Sequence, residues 1–245
     1  MKCALVTGAS RGIGRAISKA LADEGCYPLL CLTSFKNPRL LAELSDEIRS
    51  DHPEQSVFCL SGDIGDPVFV ERLHNELSSA GGSVSLLINN AGIAGYGLLS
   101  ELSPAEWDRM IRTNLTGVYN TCRIFQPDLL RAEEGRIINI SSVWGAVGAS
   151  CEAAYSAAKG GIDAFTKALA KELAPSHIAV NSIRLGAVDT DMNRNLDPEE
   201  RSALEAEIPF GRFATPEEAA KTVILMKNMP LYVTGAVLKA DGGWI

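Results

Sequence analysis

Short apolar runs alternate along the chain with segments whose apolar residues recur every three or four positions. Cys3 to Val6 reads as a buried strand. Ile13, Ala16, Ile17, Ala20 and Leu21 then share one helical face, and Gly25 follows as a stop. The same alternation continues with a strand at Leu29–Leu32, a helix through Leu40, Leu41, Leu44 and Ile48, and a strand at Val57–Leu60. Val70, Leu73 and Leu77 mark a third helix, and Val84–Ile88 a fourth strand. Ser103, Pro104 and Glu106 supply an N-cap, a first-turn proline and an acid three residues after the cap, so a long helix should open there. Ile137–Ile140 is a fifth strand, Ala158 to Leu173 a long helix halted near Pro175, and Ile178–Ile183 a sixth strand. Pro216, Glu217 and Glu218 start a late helix, and Ala236–Leu238 forms a last strand. Strands apolar on both faces and separated by helices belong to a parallel sheet covered on both sides. Right-handed crossovers make it a doubly wound α/β fold of about seven strands.

At about 150 residues per domain, 245 residues fall between one and two domains. No repeat, low-complexity run or linker divides them, so residues 1–245 are expected to form a single domain. The charged, weakly patterned segment 189–213 is the place for a mobile lid. A formal net charge of −7 argues against nucleic acid, whose phosphates call for clustered Lys and Arg. No apolar run nears the roughly 18 residues of a membrane span, and the first residues lack the pattern of a signal peptide. The six cysteines (3, 26, 31, 59, 122 and 151) form no C-x-x-C pair and read as reduced thiols of a cytoplasmic protein. His52, His74 and His177 have no metal-ligand spacing, so no metal is expected.

Between the first strand and first helix stands Thr7-Gly8-Ala9-Ser10-Arg11-Gly12-Ile13-Gly14. Ligands of doubly wound sheets bind outside the carboxyl ends of the strands, where glycines let backbone N–H groups approach a pyrophosphate. The G-x-x-x-G-x-G spacing is neither the G-x-G-x-x-G fingerprint nor a P-loop, and by itself it also fits a structural turn. Tyr155 and Lys159, four apart in a helical segment, share a face. Alone the pair also fits surface packing, but a nearby ammonium lowers a phenol from its usual value of about 10 toward the range of an acid–base catalyst.

The glycine turn, Asn89-Asn90-Ala91-Gly92 and Tyr155-Ser156-Ala157-Ala158-Lys159 occur in an order that resembles the short-chain dehydrogenase/reductase family over essentially the whole chain. The resemblance implies one Rossmann-type domain that binds NAD(H) or NADP(H) and moves hydride between nicotinamide and a carbonyl or alcohol. It places the cofactor against Gly8, Ser10, Arg11, Gly12, Ile13 and Gly14, with Asp63 and Ile64 at the adenine ring. Asn90, Ala91 and Gly92 would lie along the adenine-side ribose, and Gly186, Val188 and Thr190 at the nicotinamide amide. It makes Tyr155 the general acid, with Lys159 also binding the nicotinamide ribose. Ser142, rather than its neighbour Ser141, would hold the substrate oxygen, and Asn114 a proton-relay water. An NAD site usually carries an acid after the second strand. Here Leu32-Thr33-Ser34-Phe35-Lys36 has none, so NADP(H) is favoured over NAD(H), with Thr33 and Ser34 as hydrogen-bond donors and Arg11 and Lys36 as cations. Asp63 and Asn114 also have plainer readings, as a turn residue and as a mid-helix polar group bonded to backbone.

Residues 208–213, 232–235 and 241–243 most resemble the 3-oxoacyl-carrier-protein reductase branch, which implies a carbonyl or acyl-thioester substrate. The stretches 131–136 and 173–177, where an acidic carrier protein would dock, are not strongly basic. A small free ketone, alcohol or polyol is therefore the close alternative, and a non-enzymatic NADP-sensing protein a remote one. The family implies a homotetramer, consistent with small residues at Ala153, Ala154, Ala157, Ala158 and Gly161 and apolar Trp244 and Ile245. Two departures stand out. Leu185 occupies a position where the family usually has proline, and Pro28 falls in the second strand at the cost of a ladder donor.

Overall fold

The computed structural model describes residues 1–193 and 196–245. Its centre is one sheet of seven parallel strands: β1 (Lys2–Thr7), β2 (Leu29–Ser34), β3 (Ser56–Ser61), β4 (Ser83–Asn89), β5 (Arg136–Ser142), β6 (Ala179–Leu185) and β7 (Val237–Ala240). Their order is β3-β2-β1-β4-β5-β6-β7, so the chain reverses its direction across the sheet between β1 and β4.

Both faces of the sheet are covered. On one, Leu30, Leu32, Val6 and Ile138 pack against α1 (Gly12–Glu24), α2 (Pro38–Asp51) and α9 (Pro216–Lys227). On the other, Cys31, Leu5, Leu87 and Ile137 meet α3 (Pro67–Ser79), α5 (Gly117–Arg131) and α7 (Ala153–Leu173). The strand alternation that sends Leu30 and Leu32 one way sends Cys31 the other, and this accounts for strands with no polar face. Helix ends follow the sequence signals. Gly25 closes α1 in the left-handed region at φ 63°, and capping boxes open α4 (Pro104–Ile111) at Ser103 and α9 at Thr215.

Four features differ from the sequence reading. The long helix expected after Ser103 is α4, a π-helical turn at Arg112–Thr116, and then α5. Pro28 lies just before β2, where only its carbonyl is used, accepting from Ser56 N at 3.2 Å, so no ladder donor is lost. Leu185 extends β6, pairing with Ser142 and Ala240, and its carbonyl accepts from Val143 N at 3.0 Å. The expected lid segment 189–213, of which residues 194 and 195 lie outside the described residues, contains a helix, α8 (Pro198–Glu207). Asp197 opens it with a capping box, and none of its residues is buried.

Candidate active site

The carboxyl ends of β1 to β6 bring the expected residues to one edge of the sheet. Gly8 to Gly14 follow β1, Thr33 and Ser34 end β2, Asp63 and Ile64 follow β3, and Asn90 to Gly92 follow β4. Ser142 ends β5, and Gly186, Val188 and Thr190 follow β6. The cleft lies at the β1/β4 reversal, the place where doubly wound sheets bind ligands.

The glycine turn is tightly built. Gly8 adopts φ 67°, and a Cβ there would stand 2.8 Å from Ala91 Cα. A Cβ on Gly14 would stand 2.2 Å from the Gly8 carbonyl oxygen. The Asn90 side chain donates to Thr7 O at 3.0 Å and Gly8 O at 3.2 Å. Thr7 Oγ1 in turn accepts from Asn90 N and Ala91 N at 3.1 and 3.0 Å, locking the two cofactor-side loops together. The sequence reading missed Thr7, although its place at the last position of β1, beside the glycines, was the available signal. The start of α1 has no side-chain cap and no acid in its first turn, so its free N–H groups and positive end face the cleft. Thr190 closes over this turn, since a Cβ on Gly12 would meet its Cγ2 at 3.2 Å. An uncapped helix start behind crowded glycines fits a dinucleotide's pyrophosphate.

The adenosine end is only partly as expected. The Thr33 side chain faces inward, and its Oγ1 is buried without a hydrogen-bond partner. Ser34 Oγ bonds Asn37 O at 3.4 Å, and Arg11 pairs with Asp191 at 3.0 Å. The exposed groups after β2 are Phe35 and Lys36. Asp63 accepts from Gly65 N at 2.8 Å and pairs with Arg112 at 2.9 Å, while Ile64 O accepts from Asn120 at 2.9 Å. Asp63 thus holds its turn in place at the carboxyl end of β3.

Ser141 and Ser142 point oppositely, as strand alternation requires. Ser141 Oγ donates to Lys159 O at 3.2 Å, whereas Ser142 Oγ accepts from Trp144 N at 3.2 Å and stands on the Tyr155 side, near enough to favour its phenolate. Lys159 Nζ lies 5.6 Å from the Tyr155 ring centre and donates to Ile140 O at 2.7 Å. Burial holds the Lys159 ammonium down to about 8, against a smaller opposing pull from Asp163. Burial pushes the Tyr155 phenol up to about 12, the nearby Ser142 hydroxyl pulls it down, and the Glu152 carboxylate adds to the rise. The expected lowering of Tyr155 by the ammonium is therefore overturned in the protein's own field, where desolvation dominates both groups. Asp163, also missed, is held by Ser182 at 2.8 Å and Arg184 at 2.6 Å, which ties α7 to β6.

Asn114 lies buried in the π turn, where Gly117 N reaches back to Arg112 O. Its amide clasps one residue of the facing loop, accepting from Ile93 N and donating to Ile93 O, both at 2.8 Å. The side chain is thus bonded to backbone, as its plainer reading has it, but across the cleft rather than within its own helix. A Cβ on Gly92 would come within 3.3 Å of Asn114 Oδ1 and 3.7 Å of Lys159 Nζ, so this glycine keeps the two groups close.

A family model described as short chain dehydrogenase matches residues 2–201. An uncharacterized oxidoreductase of Bacillus subtilis is 38% identical over 99% of this chain and 98% of its own length. A 3-oxoacyl-[acyl-carrier-protein] reductase of Staphylococcus aureus is also 38% identical, over 99% of this chain and 97% of its own. The crystal structure of a putative gluconate dehydrogenase from Agrobacterium tumefaciens superposes with a TM-score of 0.92 at 32% identity, covering 99% of this chain and 95% of that one.

Proposed function

The chain belongs to the short-chain dehydrogenase family and is a nicotinamide-dependent oxidoreductase, and from that premise we propose that it reduces the ketone of a 3-oxoacyl thioester with NADPH. The remote reading as a non-enzymatic sensor is set aside with it. The observation that carries the chemistry is the grouping of Ser142 and Tyr155 beside buried Lys159, whose Nζ lies 5.6 Å from the Tyr155 ring centre.

In this reading the substrate oxygen sits between the Ser142 and Tyr155 hydroxyls. Tyr155, held as a neutral phenol, donates its proton to that oxygen, and Ser142 orients it. When bound, the dihydronicotinamide supplies the hydride. Lys159, titrating at about 8, exchanges protons near working pH and binds the nicotinamide ribose. Asn114 acts as a positioning residue through Ile93, and it stands at the position where the family's asparagine holds a proton-relay water. The uncapped start of α1, with Gly8, Ser10, Arg11, Gly12, Ile13 and Gly14, receives the pyrophosphate, and Gly186, Val188 and Thr190 receive the nicotinamide amide. NADPH is preferred because no acid follows β2 and Lys36 is exposed there. Segment 189–213 serves as the lid. It contains α8, which buries none of its residues; the Arg11–Asp191 pair ties it to the glycine turn, and the Arg201–Asp189 pair ties α8 to the segment's own start.

The thioester is favoured by the reductase relatives and by the 208–213 and 241–243 motifs. Charge favours the alternative, a free ketone or polyol. Arg131 is paired with Asp128 and Arg136 with Glu134, so neither offers a free cation to an acidic carrier protein. NADPH and NADH oxidation should be followed with an acetoacetyl thioester beside free ketones and polyols. Thioester turnover with NADPH at least tenfold above the rest supports the proposal. Turnover confined to free ketones, or equal use of NADH, refutes the corresponding part.

A further inference from the structure

Two of the three tryptophans pair beside the reacting hydroxyls. The rings of Trp144 and Trp244 meet edge to face, their centres 4.7 Å apart at 65°. Both are half-buried, and neither belongs to the two apolar layers that flank the sheet. Trp144 opens a short helix, α6 (Trp144–Val147), and its backbone N–H is the group that bonds Ser142 Oγ at 3.2 Å. The next residue, Gly145, lies so close to α7 that a Cβ there would stand 2.7 Å from Lys159 C. Trp144 is therefore fixed relative to Ser142 and to Lys159.

Trp244 is fixed from the other side. Asp241, whose side chain is almost wholly buried, accepts from Gly243 N and Ile245 N, both at 3.0 Å. The segment also joins the base of the lid, because Gly242 O accepts from Phe210 N at 3.1 Å. Gly242 itself sits at φ 67°, where a Cβ would stand 2.9 Å from Ile208 and Phe210. A buried carboxylate and two glycines in the left-handed region, Gly242 at φ 67° and Gly243 at φ 83°, thus hold one large, half-exposed ring against another, between the lid base and Ser142.

We propose that the Trp144–Trp244 pair is the wall that sets substrate size, closing the space beside Ser142 so that the site takes carbonyl compounds with a short substituent. This rests on the reading of Ser142 and Tyr155 as the groups that hold the reacting oxygen. A carbonyl oxygen placed between those hydroxyls leaves its substituent next to Trp144, and rigid indole faces give little room for added methylenes. One methylene too many in a closed pocket is worth roughly 10–200-fold in selectivity.

The test is a chain-length ladder of 3-oxoacyl thioesters with four to ten acyl carbons, run beside a ladder of 2-alkanones. It compares wild type with Trp144→Val, Trp244→Ala and the milder Trp244→Phe. Thermal unfolding of each variant checks folding, and Trp144→Val opens the wall without touching the lid base. In wild type, kcat/KM falls with length in whichever ladder is turned over. Each small variant should raise the eight-carbon to four-carbon ratio at least tenfold, with Trp244→Phe in between. Equilibrium binding of both ladders to Tyr155→Phe supplies a readout without turnover and should show the same length limit, relieved by the same changes. Ratios that stay within twofold in folded variants, in rate and in binding, overturn the wall. If no ladder is turned over, the reductase reading falls, and the binding series alone decides the wall.

Discussion

Replacing Gly14 by alanine adds a single methyl at the most crowded point of the cofactor turn. The new carbon would lie 2.2 Å from Gly8 O, 2.5 Å from Asn90 Nδ2 and 2.8 Å from Gly8 C. None of these is the loose end of a long side chain. Gly8 is backed by Ala91 Cα, 2.8 Å from where its own Cβ would be, and Asn90 is held by its bonds to Thr7 O and Gly8 O. Overpacking of this kind costs about 2 kcal/mol, and weakening the two Asn90 bonds adds about 1 kcal/mol. Alanine's better helix propensity in the first turn of α1 returns up to about 1 kcal/mol. The net is about 2 kcal/mol, a fall of ~4–8 °C in Tm for a chain of this length. The displaced Gly8 carbonyl also shifts the turn that receives the pyrophosphate, so NADPH affinity should drop at least tenfold. Thermal unfolding by circular dichroism and titration of NADPH fluorescence measure the two effects. Gly97→Ala is the control: its Cβ meets nothing nearer than 4.0 Å, and its Tm should stay within about 2 °C of wild type. A Gly14→Ala protein with wild-type Tm and NADPH affinity would refute the reasoning.

Tyr155→Phe should lower kcat by about 10²–10⁴-fold while NADPH affinity stays within threefold, because the hydroxyl supplies the proton and the ring is a small part of the cofactor cleft. Lys159, at about 8 in the fold against 10.5 unfolded, binds fewer protons folded than unfolded between those values, so its contribution to stability rises with pH across that window. Wild type should therefore gain about 3 kcal/mol relative to Lys159→Met from pH 8 to 10.5, read from urea unfolding, and a flat difference would refute the burial argument. Tyr155 works the opposite way, losing stability as pH rises from 10 to about 12, and Tyr155→Phe should remove that loss in the same titration. Lys36→Glu should cut the NADPH-to-NADH affinity ratio at least tenfold by setting a carboxylate against the 2′-phosphate, whereas an unchanged ratio would move phosphate recognition elsewhere. Light scattering should give about four times the 26.1 kDa protomer, since Trp107 and Tyr119 are exposed on α4 and α5, and a mass near one protomer would count against the tetramer.

The sheet was legible because its information is local and repeated. Residues such as Leu30, Cys31 and Leu32 admit no polar face, and Ser103, Gly25 and Pro216 announce helix ends by their own side chains or lack of one. What escaped the pattern depends on a partner far along the chain. The π turn at Arg112–Thr116 interrupts a good helical stretch where Asn114 reaches across to Ile93, a contact no periodicity encodes. Pro28 looked costly only while the strand was taken to include it, and one residue of boundary removed the problem. α8 was hidden because it buries no residue, although Asp197, Pro198 and Glu200 carry the same capping signal that was read at Ser103.

In the site, residue identity and residue state came from different physics. Spacing placed Tyr155 and Lys159 on one face, and alternation chose Ser142 over Ser141. Their protonation depends on how much water the fold leaves around them, which the spacing does not express. An ammonium near a phenol in water would stabilise the phenolate, but burying both groups penalises each charged form separately. The outcome is a phenol pushed up to about 12 and an ammonium held down to about 8, both closer to neutral than the sequence argument expected. That ordering keeps the proton on Tyr155 across the neutral range, the state needed to protonate a carbonyl oxygen. It disfavours the phenolate that alcohol oxidation requires. Positive charge brought into the cleft would lower both groups, favouring the phenolate on Tyr155, so the direction of the reaction is tied to the charge of whatever occupies the site.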